Sequence, residues 1–187
     1  MTQKQLIKAC KKQNLKAQGQ LYQLYKDDLF VLCLKYCKNR EEAQDNLQDA
    51  FLEIFSKIKS YKGSGSFEGW MKRITINKAI DKYKKERYLN IVINNDILRD
   101  HSLVETNIIE SMPLDQILKY IQDLPPRYRI VFNLYELDDY SHQDIAKLLK
   151  ISVNTSKSNL HRAKRILQTK IQQSTNVSHK NMTSNGH

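Results

Sequence analysis

Apolar side chains recur at helical spacing along most of this chain, and few residues interrupt them. Only 5 Gly and 3 Pro occur among the 187 residues, so the chain has few residues suited to tight turns. The spacing predicts helices over about 19–38, 67–87 and 127–137, with further helices between and after them. We therefore expect an all-α protein of two small helical domains joined by a flexible linker.

Periodicity and composition divide the chain into five segments. The two helical domains are expected at 20–88 and 113–172. Residues 89–112, which separate them, are acidic and have no clean period, which indicates a linker. A basic N-terminal extension, 1–19, precedes the first domain. A polar tail, 173–187, is predicted to be disordered.

The charge of the chain is strongly positive and unevenly distributed. Its 31 Lys and Arg residues outnumber 20 Asp and Glu residues, which gives a net charge of +11. An acidic partner is expected: nucleic acid, an anionic membrane surface or an acidic protein. The excess is concentrated in 1–20, 62–90 and 151–172, and the first and last of these contain no acidic residue. Such blocks indicate interaction surfaces rather than general solubility.

Several classes of protein are poor fits. No stretch approaches the ~18 apolar residues of a transmembrane helix, so no membrane insertion is expected. The basic amino end lacks the apolar core and cleavage site of a secretory signal. Three cysteines, Cys10, Cys33 and Cys37, are too few for a disulfide scaffold, which favours a reducing cytoplasm. Cys33 and Cys37 share a helix face, but buried free thiols are favoured over a metal site.

Residues 140–170 contain a short helix, a brief turn and a longer helix, the order typical of a helix-turn-helix. Ser141 and Asp144 resemble a capping box for the short helix, and Asn154 is predicted to cap the longer one. An ordinary hairpin with a solvated basic face is the alternative, but the second helix has no acidic residue, which favours DNA binding. Its predicted exposed side chains are Thr155, Ser156, Lys157, Ser158, Asn159, His161, Arg162, Lys164 and Arg165.

No group of residues in the sequence is suited to catalysis. Residues 62–66, Lys-Gly-Ser-Gly-Ser, superficially suggest a phosphate loop, but no strand precedes them and no Gly-Lys-Ser/Thr follows. The five histidines are scattered, and no serine lies in a Gly-x-Ser-x-Gly turn. We expect a protein that is not an enzyme and that has no metal or cofactor.

Both domains contain family motifs. In the second domain these are 124–132 (LPPRYRIVF), 140–146 (YSHQDIA), 151–153 (ISV), Lys157-Ser158 and 160–164 (LHRAK). In the first they are 45–51 (DNLQDAF), Phe67-x-x-Trp70 and Ile74-x-x-Asn77-x-x-x-Asp81. The second set alone could equally belong to a response-regulator output domain. Together and in this order, the two sets resemble the extracytoplasmic-function (ECF) sigma factors of the sigma-70 family.

The resemblance implies an RNA polymerase sigma factor that directs promoter-specific initiation. The first domain would dock on the clamp helices of the largest subunit of core RNA polymerase, and would melt and hold the −10 element of promoter DNA. The second would read the −35 element. An anti-sigma factor is also implied. A two-domain helix-turn-helix regulator that does not join the polymerase is the alternative.

The resemblance also assigns residues to each contact. The polymerase-binding residues are Asp45, Gln48, Asp49, Phe51 and Ile54. The −10 contacts are Lys62, Ser64, Ser66, Lys72, Arg73, Asn77, Lys78, Asp81, Lys84 and Lys85, with Trp70 expected to position their helix. The −35 contacts are Asn154, Thr155, Ser156, Lys157, Ser158, Asn159, His161, Arg162 and Arg165. The recognition helix begins Asn-Thr-Ser where Gly-Thr-Val is more usual, so the preferred −35 sequence does not follow, and the basic extension 1–19 is not covered.

Overall fold

Eight α-helices make up the part of the chain that the computed structural model describes, residues 1–90 and 113–183. No strand occurs within those ranges, which confirms the all-α class. The chain divides between Leu89 and Asn90 into two compact units. The predicted flexible linker falls almost entirely on 91–112, outside the described residues. None of the described helices has the length and apolar content needed to cross a membrane.

The first unit begins with a helix that the sequence analysis had separated from the domain. This helix, α1 (Gln3–Lys11), starts with a capping box: the Gln5 amide donates to Thr2 Oγ1 (3.3 Å), and the Thr2 amide donates to Gln5 Oε1 (2.9 Å). Its Leu6 and Cys10 side chains are buried. The folded unit therefore does not begin at residue 20, because the extension contributes to its core.

Three longer helices complete the first unit, and their facing side chains form its core. They are α2 (Leu15–Tyr36), α3 (Arg40–Lys57) and α4 (Phe67–Asn90). The largest fully buried side chains are Leu21, Leu29, Ile54, Ile58, Met71 and Ile80. One buried amide joins all three helices, because Asn46 Nδ2 on α3 lies 3.3 Å from Cys33 Sγ on α2 and donates to the Thr75 carbonyl on α4 (3.3 Å).

The second unit is built from α5 (Leu114–Gln122), α6 (Pro126–Phe132), α7 (His142–Leu149) and α8 (Val153–Thr183). Its α6 continues as a π-helical turn, Asn133–Leu137, whose last residue is exposed. Leu124 and Tyr128 pack against Ala163 in the core, together with Phe132, Ile166 and Leu167. The helix-turn-helix is therefore anchored on α6.

Helix α8 extends further than expected. The sequence predicted a disordered tail from residue 173, whereas the helix continues to Thr183. No Gly or Pro occurs between Val153 and Asn185, so no residue in that stretch strongly terminates a helix. The predicted tail is thus helical over most of its length, and residues 184–187 lie outside the described residues.

Candidate nucleic-acid and protein interfaces

Helices α7 and α8 form the predicted helix-turn-helix, with a three-residue turn between them. Ser141 caps α7 by accepting from the Asp144 amide (3.1 Å), and its hydroxyl donates to the Asp144 carboxylate (2.6 Å). Lys150 adopts a left-handed conformation (φ 54°) that ends α7. Ser152, not Asn154, caps α8, because its hydroxyl accepts from the Thr155 amide at 2.9 Å.

The exposed face of α8 carries most of the predicted −35 contacts. Asn154, Ser158, His161 and Arg165 recur at spacings of four, three and four residues, so they form one stripe along the helix. Asn154, Ser158 and Arg165 are exposed, and His161 is half-buried. Thr155 and Arg162 flank this stripe on one side, and Lys157 and Lys164 flank it on the other.

Two of the predicted contacts do not lie on that face. Ser156 is fully buried and Asn159 is 9% exposed, so neither side chain is available to DNA in this structure. Ser156 lies four residues before the buried Leu160, and Asn159 lies four residues before the buried Ala163. Because residues four apart share one face of a helix, both side chains lie on the buried face. Their polarity alone made them look exposed.

Ser156 joins the two helices of the motif. Its hydroxyl lies 2.9 Å from Nδ1 of His142 on α7, and the imidazole stacks on Tyr135 with ring centroids 4.3 Å apart. Desolvation lowers the pKa of His142, the nearby Lys157 ammonium lowers it further, and Glu136 acts in the opposite direction. The α7–α8 joint is therefore suited to a neutral imidazole.

Two of the basic residues predicted to be exposed on α8 have partners within their own unit. Lys164 forms an ion pair with Glu136 on the π-helical turn (2.8 Å). Arg162, which is half-buried, donates to the Tyr128 hydroxyl at 3.4 Å. Arg165, exposed at the carboxyl end of the stripe, is a clearer candidate for DNA contact than Arg162.

In the first unit, the loop 62–66 stands on a cluster of aromatic rings. The Tyr61 ring lies 5.5 Å from that of Trp70, and Phe67 stacks on Trp70 at the same distance. The Tyr61 hydroxyl donates to the Gly65 carbonyl across the loop (2.8 Å). Gly63 and Gly65 have φ values of 83° and 81°, which side chains rarely adopt, so the loop conformation requires glycine at both positions.

The loop leads directly into α4 and places the predicted −10 residues beside it. Ser66 caps α4 by accepting from the Gly69 amide (2.9 Å), while Lys62 and Ser64 are exposed in the loop. Trp70 is half-buried in the aromatic cluster, which is consistent with its predicted positioning role. The loop thus presents polar and basic groups next to the cluster of aromatic side chains.

The predicted residues of α4 do not all share one face. Arg73, Asn77, Asp81 and Lys84 recur at spacings of four, four and three residues and lie along one side of the helix. Lys85 is exposed at the border of this face, and Lys72, also exposed, lies away from it. Lys78 forms an ion pair with Glu53 of α3 (3.3 Å), so part of its charge is already neutralised.

Helix α3 presents an acidic face with one leucine. Asp45, Gln48 and Asp49 are exposed together on this face, as predicted. Phe51 and Ile54 are buried in the core at 3% and 0% exposure, so they cannot serve as direct contacts for polymerase in this structure. The sequence analysis missed Leu52, which lies four residues after Gln48 and is 64% exposed. The sequence could have identified Leu52 as exposed, because it lies outside the stripe of apolar core residues on α3.

Comparison with known proteins places both units in one family. Residues 21–88 match sigma-70 region 2, and residues 114–167 match sigma-70 region 4. The chain is 30% identical to the ECF RNA polymerase sigma factor SigW of Bacillus subtilis over 179 residues, which cover 90% of this chain and 96% of SigW. It is 27% identical over 183 residues to the ECF RNA polymerase sigma-E factor of Haemophilus influenzae, with 92% and 96% covered.

Among solved structures, the chain resembles the sigma factor RpoE of Bartonella quintana, determined in complex with the anti-sigma factor NepR. The TM-score is 0.51 at 20% identity, with 81% of this chain and 94% of RpoE covered, so this likeness concerns the fold. The family matches and the similarity to SigW together assign the sequence. The chain belongs to the ECF RNA polymerase sigma factors of the sigma-70 family.

Proposed function

We propose that the two units divide promoter recognition between them, with α8 reading the −35 duplex and the loop 62–66 with α4 holding the −10 strand. As an ECF sigma factor, the protein selects the promoter at which core RNA polymerase initiates. The observation that supports this division is that the chain has two basic surfaces of different construction. One lies on a helix-turn-helix, and the other lies on a loop above aromatic rings.

The α8 surface is suited to a duplex. A recognition helix enters the major groove, where amides, hydroxyls and cations contact base edges and phosphates. The stripe of Asn154, Ser158, His161 and Arg165 supplies all three kinds of group along one side of the helix. Ser152 and Ser156 then have structural roles, as the cap of α8 and as its joint to α7.

The loop 62–66 is suited to an unpaired base. Single-stranded DNA is bound by basic grooves in which bases stack on aromatic side chains or enter pockets. Here the Tyr61 hydroxyl, which donates to Gly65, links the glycine-containing loop to the aromatic cluster, and Asn77 and Arg73 extend the polar surface along α4. This arrangement supports capture of an unstacked −10 base beside a phosphate-binding face.

The α3 face is proposed as the polymerase contact. Asp45 and Asp49 supply negative charge in a protein that is otherwise basic, and Leu52 supplies an exposed apolar side chain beside them. An apolar anchor surrounded by charged groups is a common arrangement at protein interfaces. We propose that this face docks on the clamp helices of the largest subunit.

The remaining roles follow from the same assignment. The relative RpoE was determined with an anti-sigma factor, and we propose that an anti-sigma factor regulates this chain by covering a DNA-binding or polymerase-binding surface. We further propose that it acts in the cytoplasm, where polymerase and DNA meet. The polymerase would perform the chemistry, and this chain would contribute no catalytic group.

Transcription in vitro with purified core polymerase and a genomic promoter library tests the proposal. We expect specific start sites that core polymerase alone does not produce. Tight binding of the free protein to particular duplex sites, without any effect on initiation by core polymerase, would support a regulator that does not join the polymerase.

Two charge variants test the division of roles. Arg165→Gln should weaken −35 duplex binding and leave association with core polymerase unchanged, with Lys119→Gln on α5 as the control.

Asp45→Lys should weaken association with core polymerase at least about tenfold and leave −35 binding unchanged, with Asp115→Lys as its control. Loss of both activities in either variant, measured by fluorescence anisotropy, would contradict separate surfaces.

A further inference from the structure

Helix α1 and its C-cap residue, Lys12, carry a row of lysines that the promoter contacts described above do not use. Lys4, Lys8 and Lys12 are all exposed and recur every four residues, so they line one side of the helix. The sequence contains no acidic residue before Asp27. Like charges at this spacing destabilise a helix, and α1 has no acidic residue in its first turn to offset them. Lys8 and Lys12 lie at the carboxyl end of α1, where cations favour the helix dipole, but an external anion would relieve the mutual repulsion of the row.

Helix α1 is joined to the aromatic cluster beneath the loop 62–66 by contacts near both of its ends. Lys11 Nζ donates to the Tyr61 carbonyl at 2.6 Å and lies 5.9 Å from the Tyr61 ring centroid. Gln3 Nε2 donates to the Tyr25 hydroxyl at 2.8 Å, and the Tyr25 ring packs on Phe67 at 6.2 Å. Residues Gln3 and Lys11 thus place α1 beside the loop.

The direction of the Lys11 contact also orients the row of lysines. At about 100° per residue, Lys4, Lys8 and Lys12 lie roughly 20°, 60° and 100° around the helix from Lys11. The row therefore begins next to the side chain that contacts Tyr61 and extends onto the solvent-exposed surface. Lys59 and Lys62, which flank Tyr61 in the sequence, are also exposed.

From this placement we infer that Lys4, Lys8 and Lys12 bind backbone phosphates of the DNA strand whose base is held at the loop 62–66. The inference rests on the proposed function, since it extends the −10 surface onto α1. DNA is favoured over an acidic protein because no exposed large apolar side chain lies within the row itself, between Lys4 and Lys12; the exposed Met1 and Leu15 lie beyond its two ends. Protein interfaces generally require such an anchor at their centre.

Salt-dependent DNA binding by the full-length protein tests the inference. The probe is a fluorescein-labelled, randomised 20-nucleotide single strand, and the triple variant is Lys4→Gln, Lys8→Gln and Lys12→Gln. Each lost phosphate contact reduces the steepness of the negative slope of log affinity against log salt by about 0.7, so its magnitude should fall by about 2. At 0.1 M salt this corresponds to binding that is weaker by roughly ten- to a hundredfold.

Matched variants show whether position and charge both matter. Substituting arginine at the same three positions keeps the charge and should retain the wild-type slope. Substituting glutamine at Lys26 and Lys35, which are half-buried in the second half of α2, and at the exposed Lys38 just beyond it removes equal charge and should leave the slope nearly unchanged. A slope equal to wild type in the α1 variant overturns the inference, as does an equal fall in the α2 variant.

Three further outcomes separate this inference from alternatives. If the α1 variant keeps wild-type DNA binding but loses binding to an acidic protein, the row is a protein contact and the inference is wrong. If wild type supports specific initiation and the α1 variant initiates equally well at every salt concentration, the inference alone fails. If wild type supports no specific initiation with core polymerase, the proposed function itself fails.

Discussion

The guanidinium of Arg129 lies inside the second unit, at the carboxyl end of α5. Its Nη1 donates to the Gln122 carbonyl at 2.6 Å and the Leu124 carbonyl at 3.4 Å, and the residue is 4% exposed. Carbonyls at the end of a helix have no partner within the helix and carry partial negative charge, so a buried cation is favourable there. Arg129 therefore fixes the junction between α5 and α6 rather than binding DNA.

Removing this cation should destabilise the second unit. Arg129→Met keeps much of the side-chain volume but leaves both carbonyls without their donor, so we expect a loss of about 2 kcal/mol. Its control is Arg127→Met, because that half-buried guanidinium lies over the Tyr128 ring (4.7 Å) and should contribute less than about 1 kcal/mol. Urea unfolding followed by circular dichroism measures both. Equal losses would contradict the assigned role.

The joint between α7 and α8 should weaken in mild acid. Because the folded unit lowers the pKa of His142 from its ordinary value of 6.5, the unfolded chain takes up a proton more readily than the folded one. The stabilisation by neutral His142 is complete above pH 6.5 and declines as the pH falls below it. Thermal unfolding between pH 7.5 and 5 should show this decline. The His142→Gln variant should show a smaller decline, and an identical one would contradict the argument.

At the scale of whole elements, helical spacing predicted the major helices, including the helix-turn-helix. It failed where small polar side chains are buried and where an element was judged by its charge. Ser156 was counted as exposed, although its position four residues before Leu160 points inward. Helix α1 was separated from the domain because it is basic. However, Leu6 and Cys10 form a buried face, and Thr2 and Gln5 form a capping box that marks the start of the helix. The charge of a helix indicates which partners its exposed face can bind, whereas the spacing of its apolar residues indicates which face packs in the core.

A buried amide that joins three elements should matter more than its exposed neighbours. Asn46 contacts Cys33 on α2 and the Thr75 carbonyl on α4, so Asn46→Ala removes one hydrogen-bonded link to each helix. We expect a loss of about 1–3 kcal/mol in the stability of the first unit. Gln44→Ala, an exposed position on the same helix, should change it by less than about 0.5 kcal/mol. Urea unfolding followed by Trp70 fluorescence measures both, and equal effects would show that the amide does not join the helices.

At the scale of the whole molecule, the net charge of +11 arises mainly from three basic surfaces, which are distributed over two units. Each surface alone is expected to bind DNA weakly and with strong salt dependence. Holding both units on one polymerase raises the effective concentration of the second contact once the first has formed. Selectivity would therefore belong to the holoenzyme rather than to either unit, which is consistent with each unit having a core of its own.

Separate cores predict separate unfolding transitions. Trp70 is the single tryptophan and lies in the first unit, so its fluorescence reports that unit alone, whereas circular dichroism at 222 nm reports helices of both. Leu134→Ala removes a fully buried side chain from the second unit at a cost of about 2–5 kcal/mol. The variant should shift the dichroism curve and leave the Trp70 midpoint unchanged, while Ile54→Ala should shift the Trp70 midpoint. If Leu134→Ala moved both signals by the same amount, the two units would unfold as one cooperative structure.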